Sequence, residues 1–436
     1  MNDHDLRGDA AWFVDSRFGM FIHWGLYAMP ARHEWVQHIE KKSAAQYQKY
    51  FDLFEPDHFA PRDWARMARA AGMRYVVITT KHHEGFCLWD SQYSDFTAAK
   101  APACRRDLLR EIVDAFRAEG LRIGFYYSLA DWHHPECPMD KIQPAYNDPQ
   151  ERSRPRDIVQ YQAFLRNQLR ELLTNFGRID IMWFDGNFNY VREPGESHDL
   201  WDAANLAIMI RQLQPGILIN ERLARGLDPA PYTIDIKTPE QQIPATGIRD
   251  PDGNLVVWEG CQTLSGSWGY HRDEGNWKNT KELVTMLINH VSRGGNMLLN
   301  VGPTARGEFD DRAQLRLAGL AHWMRRHDCA IYGCTVAPAW AKEPENCRYT
   351  YNPARQRLYV HCLVWPFSTL LLPGLAGKLR HAQLLSDRSE ITFHESGDDV
   401  ILALHGTTIL SERMRVPRPV MRKPKVGIPV IELILK

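Results

Sequence analysis

The chain has no excess charge of either sign. Its 436 residues carry 53 basic and 53 acidic side chains, so it lacks the field that would hold a phosphate backbone or an anionic membrane. Nucleic acid and membrane are therefore not expected partners. Long apolar runs are also missing: none approaches the ~20 residues of a membrane span, and residues 1–10 lack the basic flank and apolar stretch of a secretory signal. A cytoplasmic location is the expectation. The eight cysteines are scattered, with no C-x-x-C pair of a zinc site, which suits a reducing compartment. No G-x-G-x-x-G follows a strand-like run, and a phosphate-cradling P-loop and a G-x-S-x-G elbow are both missing. Dinucleotide, nucleotide and serine-hydrolase chemistry lose their usual signatures, and no cofactor is expected.

What is present is globular: 44% hydrophobic and 24% charged residues, with length for one large domain and a smaller one. Eight short apolar or β-branched runs recur at 18–25, 74–83, 122–129, 178–186, 216–222, 233–240, 256–260 and 296–303. Several are continuously apolar, as strands covered on both faces are. Amphipathic helical patterns lie between many of them, at 104–119, 157–176, 199–214 and 281–291. This alternation predicts parallel strands joined by crossover helices, either a closed barrel or an open doubly wound sheet. Polar residues gather at the C-terminal ends of the runs, where a β/α barrel builds its active site, and this favours the barrel. The gaps around runs five to seven are too short or too rich in Pro and Gly for full helices, so the expected fold is a (β/α)8-like barrel with an incomplete helix ring over residues 1–340. Short strand-like runs at 357–365, 382–386, 400–404 and 429–435 predict a small antiparallel β-sandwich over residues 341–436.

The strand ends supply His23 and Trp24, His82 and His83, Tyr126 and Tyr127, Trp183 and Asp185, Asn220 and Arg222, Glu240, Trp258 and Glu259, and Asn300. Aromatic faces stack on sugar rings while His, Arg and carboxylate groups bind hydroxyls, so the mixture suits a carbohydrate pocket in which two carboxylates share the chemistry. Each residue alone has a plainer role: Asp185 as a turn cap, a lone aromatic as packing. His82 and His83, adjacent on a strand, are expected to point to opposite faces. A catalytic metal is not expected, because the first run offers His23-Trp24-Gly25 rather than an H-x-H pair.

In order along the chain stand Arg17-Phe18-Gly19-Met20-Phe21-Ile22-His23-Trp24-Gly25, Glu34-Trp35, Thr79-Thr80-Lys81-His82-His83-Glu84-Gly85-Phe86, Tyr126-Tyr127-Ser128, Trp183-Phe184-Asp185-Gly186 and Gly294-Gly295-Asn296-Met297-Leu298-Leu299-Asn300-Val301-Gly302-Pro303. This series resembles the α-L-fucosidases of glycoside hydrolase family 29. The resemblance implies a retaining exo-acting enzyme for fucosylated oligosaccharides or glycoconjugates. It also implies a fucose pocket of His23, Glu34, Trp35, His82, His83, Tyr126, Trp183 and Arg222, with Asp185 as nucleophile. For the acid/base it leaves Glu240, in Asp235-Ile236-Lys237-Thr238-Pro239-Glu240, ahead of Glu259, which has a pocket wall or a supporting contact as its other roles. The segment from Thr238 to Pro244 resembles the branch of the family that prefers α-1,3 and α-1,4 branches. Self-association into a homo-oligomer is compatible with all of this.

Overall fold

A computed structural model describes residues 8–187, 199–227, 229–404, 421, 423–425 and 427–436. Seven parallel strands run in the order β5-β4-β3-β2-β1-β7-β6: β1 Phe18–Ile22, β2 Tyr75–Lys81, β3 Arg122–Ser128, β4 Ile181–Asp185, β5 Leu218–Ile219, β6 Glu259–Thr263 and β7 Asn296–Val301. The helices that position them are α1 Pro61–Ala70, α2 Leu108–Ala118, α3 Ile158–Asn175, α4 Ala203–Leu213, α5 Thr280–Ser292 and α6 Asp311–His327. Asp107, Asp157, Asn279 and Asp310 cap α2, α3, α5 and α6 by accepting backbone N–H bonds.

The expected sixth strand is absent as a strand. Residues 235–241 nevertheless span the gap between β5 and β6. Asp235 N donates to Ile219 O at 3.0 Å and Glu221 N to Ile236 O at 3.2 Å on one side. On the other, Lys237 N donates to Val257 O at 3.0 Å, Glu259 N to Lys237 O at 2.8 Å and Gln241 N to Cys261 O at 3.0 Å. Pro239 has no N–H to give, so the pairing cannot run as a continuous ladder. The ring is thus closed by an eighth stave that is pinned at points, and only a short helical turn, Glu221–Ala224, lies between it and β5. Outside this gap the expected helices are present as α2 to α5, joined by α1 and α6, which the sequence patterns did not single out.

Alternation along the strands sets what faces the barrel axis. Phe21, Val77, Tyr126, Ile181, Trp183, Leu218 and Leu298 pack together inside, with Phe13 among them. Their neighbours Met20, Ile22, Val76, Ile78, Phe125, Tyr127, Met182 and Phe184 join the helices in the outer core layer. The same parity carries His23, two residues beyond Phe21, and Asp185, two beyond Trp183, to the inner face at the strand ends. Gly186 then adopts φ +78°, and a Cβ there would lie 2.7 Å from Ser128 Oγ; only glycine turns the chain so tightly at this point.

The C-terminal part forms two antiparallel sheets, β8 Cys347–Asn352, β9 Arg357–Cys362, β11 Leu379–Leu384 and β14 Val430–Leu435 in one, and β10 Thr369–Leu372, β12 Phe393–Ser396 and β13 Asp399–Ala403 in the other. They enclose an apolar cluster of their own that includes Leu358, Val360, Leu372, Leu402 and Leu433. No helix among the described residues is long and apolar enough to cross a membrane.

Candidate active site

At the C-terminal mouth of the barrel a pocket is lined by His23, Trp35, His82, His83, Tyr126, Trp183, Asp185, Arg222 and Glu240, together with Phe21, Arg225, Cys261 and Trp268. Asp185 closes β4 and holds the centre. Arg222 Nη1 donates to its Oδ1 at 2.9 Å, Tyr126 Oη donates to its Oδ2 at 3.0 Å, and His83 Nε2 lies 3.8 Å from Oδ2. Burial is the largest single effect and favours the neutral acid, but the Arg222 charge, His83, the Arg222 hydrogen bond and the Gly186 N–H together outweigh it and hold Asp185 at about 2. The carboxylate is therefore ionised at neutral pH. Burial, followed by the Asp185 charge, pushes the Tyr126 hydroxyl well above its ordinary range, so it remains a donor.

Arg222 sits on the helical turn after β5, and its guanidinium is fixed on every side. Nε donates to Thr238 Oγ1 and Nη2 to Thr238 O, both at 3.1 Å, and the plane lies 4.5 Å over the Trp183 ring. Nη2 also lies 3.1 Å from Glu240 Oε2. One guanidinium thus bridges two carboxylates, one sheltered and one with a side chain 47% exposed at the rim. The pinned stave brings Glu240 here.

The histidines depart from expectation in one respect. Strand β2 ends at Lys81, so His82 and His83 lie in the turn beyond it and do not alternate; both rings enter the pocket with centroids 4.1 Å apart. His82 stacks on Tyr126 at 5.6 Å and His83 meets Trp35 edge-on at 5.3 Å. Burial holds His23 at about 3 and His83 at about 4 and pushes His82 well below its ordinary value, so all three are neutral at pH 7. Glu34 does not line the pocket. It is buried behind it, where Oε2 accepts from Trp268 N at 3.1 Å and Gly269 N at 2.9 Å, fixing the loop that carries Trp268.

Glu259 is displaced from its expected place. The apolar run before it suggests a strand ending at 260, but β6 begins at Glu259, so this carboxyl lies at the N-terminal end of the barrel interior. There it accepts hydrogen bonds from Tyr75 Oη and, at 3.2 Å, from Trp183 Nε1. It supports the floor from below and does not line the pocket. Burial, opposed by those hydrogen bonds, raises Glu259 to about 7. An unfolded glutamate ionises near 4.3. From there up to about 7 the folded state keeps a proton that the unfolded state has lost, so this group's contribution to stability falls as pH rises. Thermal midpoints measured from about pH 4.5 to about pH 7 should therefore drop in the wild type relative to Glu259→Gln. Parallel curves would refute the assignment.

Phe21, Trp268, Cys261 and Arg225 are pocket residues that the sequence patterns did not single out. Phe21 was available from strand parity with His23; the other three depend on β6 and on loops whose paths no periodicity encodes. A wider concavity of about 1100 Å³ opens outside the barrel between α1 and α6, lined by Met67, Leu317, Ala318 and Met324 with a charged rim. It does not include the strand ends or their carboxylates. Among the described residues no group of His, Cys, Asp and Glu is placed to hold a metal.

Comparison with known proteins agrees with this architecture. Over its whole length the chain is similar to the solved α-L-fucosidase isoenzyme 1 of Paenibacillus thiaminolyticus, at 41% identity with a TM-score of 0.88 and 100% of each chain covered. It is also similar to a Bacteroides thetaiotaomicron α-L-fucosidase described as a trapped covalent intermediate with 2-fluoro-fucosyl fluoride, at 29% identity and a TM-score of 0.80, covering 97% of this chain and 95% of that one. Human tissue α-L-fucosidase is 30% identical over 396 residues, 84% of this chain and 78% of the relative. The family model described as alpha-L-fucosidase matches residues 2–328, the stretch that holds all seven barrel strands and every pocket residue, and by that match the chain belongs to the α-L-fucosidase family of glycoside hydrolases.

Proposed function

We propose that the strand-end pocket removes terminal α-L-fucose from fucosylated glycans with retention of configuration, Asp185 acting as nucleophile and Glu240 as acid/base. The observation that carries these roles is the single Arg222 guanidinium lying 2.9 Å from one carboxylate and 3.1 Å from the other. Retaining glycosidases use two carboxyl groups about 5–5.5 Å apart, and the contact of both acids with one guanidinium supports a close pair. Their environments also differ as the roles demand: Asp185 is enclosed and ionised, and Glu240 stands at the rim, where a leaving group departs into solvent.

In the first step Asp185 attacks the anomeric carbon while Glu240 protonates the glycosidic oxygen and the C–O bond breaks. In the second, Glu240 removes a proton from water, which attacks the fucosyl ester and frees Asp185. Trp183, Trp35 and Tyr126 supply aromatic walls, and the histidines meet the hydroxyls. The likeness of the segment from Thr238 to Pro244 supports α-1,3 and α-1,4 branches as the preferred linkages.

The test pairs an aryl α-L-fucoside with a Lewis-type oligosaccharide; no fucose released from either would sink the proposal. Glu240→Ala is expected to lose about 10²–10⁴-fold on the oligosaccharide, the usual worth of general acid catalysis, and much less on an aryl fucoside whose leaving group needs no proton. Azide should then yield α-fucosyl azide. Equal losses on both substrates would remove Glu240 from the acid role.

A further inference from the structure

We infer that Asn300 and Ser128 are positioning residues that lock His23 and His83 in one tautomer, so that the pocket meets its sugar with two ring nitrogens acting as hydrogen-bond acceptors. Two backbone carbonyls, which can only accept, set both tautomers. Asn300 Nδ2 donates to Trp268 O at 2.6 Å, which turns Oδ1 towards His23 Nδ1 at 2.7 Å. Because Oδ1 can only accept, His23 Nδ1 carries the proton and Nε2 carries the lone pair. The second case is built from different groups. Ser128 Oγ–H donates to Ala130 O at 2.6 Å, so its oxygen receives the hydrogen from His83 Nδ1 at 2.7 Å. His83 Nε2, which faces the Asp185 carboxylate at 3.8 Å, is then also the lone-pair nitrogen.

His82 differs. Its Nδ1 is buried with no hydrogen-bond partner among the described residues, so none of them dictates its tautomer, and it can donate or accept as the ligand requires. The pocket thus combines two fixed acceptors, one adaptable histidine, and the donors Tyr126 and Arg222, which are already committed to Asp185. A ligand that fits presents O–H donors to His23 and His83; an ether or keto oxygen in either place would set a lone pair against a lone pair, which a buried site penalises.

The acceptor role rests on the proposed fucosidase reading, whereas the tautomers do not. Nitrogen-15 spectra of the whole ¹⁵N-histidine-labelled protein at neutral pH, with signals assigned through His23→Gln and His83→Gln, should show a protonated Nδ1 and a bare Nε2 for both residues. A protonated Nε2 on either one overturns the inference. L-Fucose should shift both Nε2 signals. If it moves neither while the tautomers are as stated, the acceptor role and the pocket assignment fail together and the locking contacts stand. In Ser128→Ala the His83 proton should move to Nε2 and KM for an aryl α-L-fucoside should rise about tenfold, the worth of one buried hydrogen bond. An unchanged tautomer in that variant overturns the role of Ser128. If the variant does not fold, the wild-type spectrum still decides both tautomers.

Discussion

Asp185→Ala is expected to lower kcat/KM on an aryl α-L-fucoside by roughly 10⁴-fold or more, the scale on which enzymes lose rate with their nucleophile. The fold gives reason to expect a clean effect. Asp185 ends β4 and caps no helix among the described residues; its oxygens meet the pocket residues Arg222, Tyr126 and His83 and the adjacent Gly186 N–H. Arg222 keeps Glu240 as a partner 3.1 Å away, so truncation does not strand a buried cation. Azide should enter the vacated space and give β-fucosyl azide, the inverted product. An α-product, or activity within tenfold of wild type, would remove Asp185 from the nucleophile role.

Arg222→Met should produce the second largest loss, about 10²–10³-fold in kcat, as found when one preorganised charge-stabilising donor is removed from other sites. It should also move the acid limb of the pH profile. The proposed nucleophile role needs Asp185 as an anion, and with Arg222 present it stays ionised down to about 2. Without that cation, burial dominates and the carboxyl takes up its proton at higher pH, so the variant's activity should vanish as pH falls through a range where the wild type is unaffected. Stability should follow the same sign. The pair stabilises the fold above the ordinary aspartate value near 3.9, and that contribution disappears as pH falls towards about 2. A variant whose acid limb overlays the wild type would show that Arg222 does not set the charge of Asp185.

Much of this was legible in the sequence because strand alternation is a local property. Phe21 to His23 and Ile181 to Trp183 to Asp185 follow one parity, so the inward set could be counted out residue by residue. Register and path could not. The run before Glu259 is apolar enough to suggest a strand, yet its residues are held at points by the segment around Lys237, and the ladder starts at Glu259 itself; the carboxyl moves from the mouth to the floor as a result. Adjacency predicts opposite faces for His82 and His83, but β2 ends at Lys81, directly before them. In the second sheet region β8, β10 and β12 were missed. The last carries mostly exposed side chains and leaves no apolar stripe to detect. Helices α1 and α6 have no counterpart among the expected helices, and in α6 the buried Leu317, Leu320 and Trp323 are diluted by arginines and histidines.

The shared guanidinium has an electrostatic corollary for the reaction coordinate. In the proposed reaction the anion beside Arg222 at the start is Asp185, and Glu240 holds the proton it donates. Once the fucosyl ester forms, Asp185 is neutral and Glu240, having given its proton away, is the anion. The negative charge has moved from one end of a fixed cation to the other, and hydrolysis moves it back. At both resting points the three side chains sum to the same total, so neither half-reaction has to bring net charge into, or expel it from, a poorly solvated mouth. What the mouth has to meet between those points, on the proposed roles, is the cationic character that develops on the sugar ring.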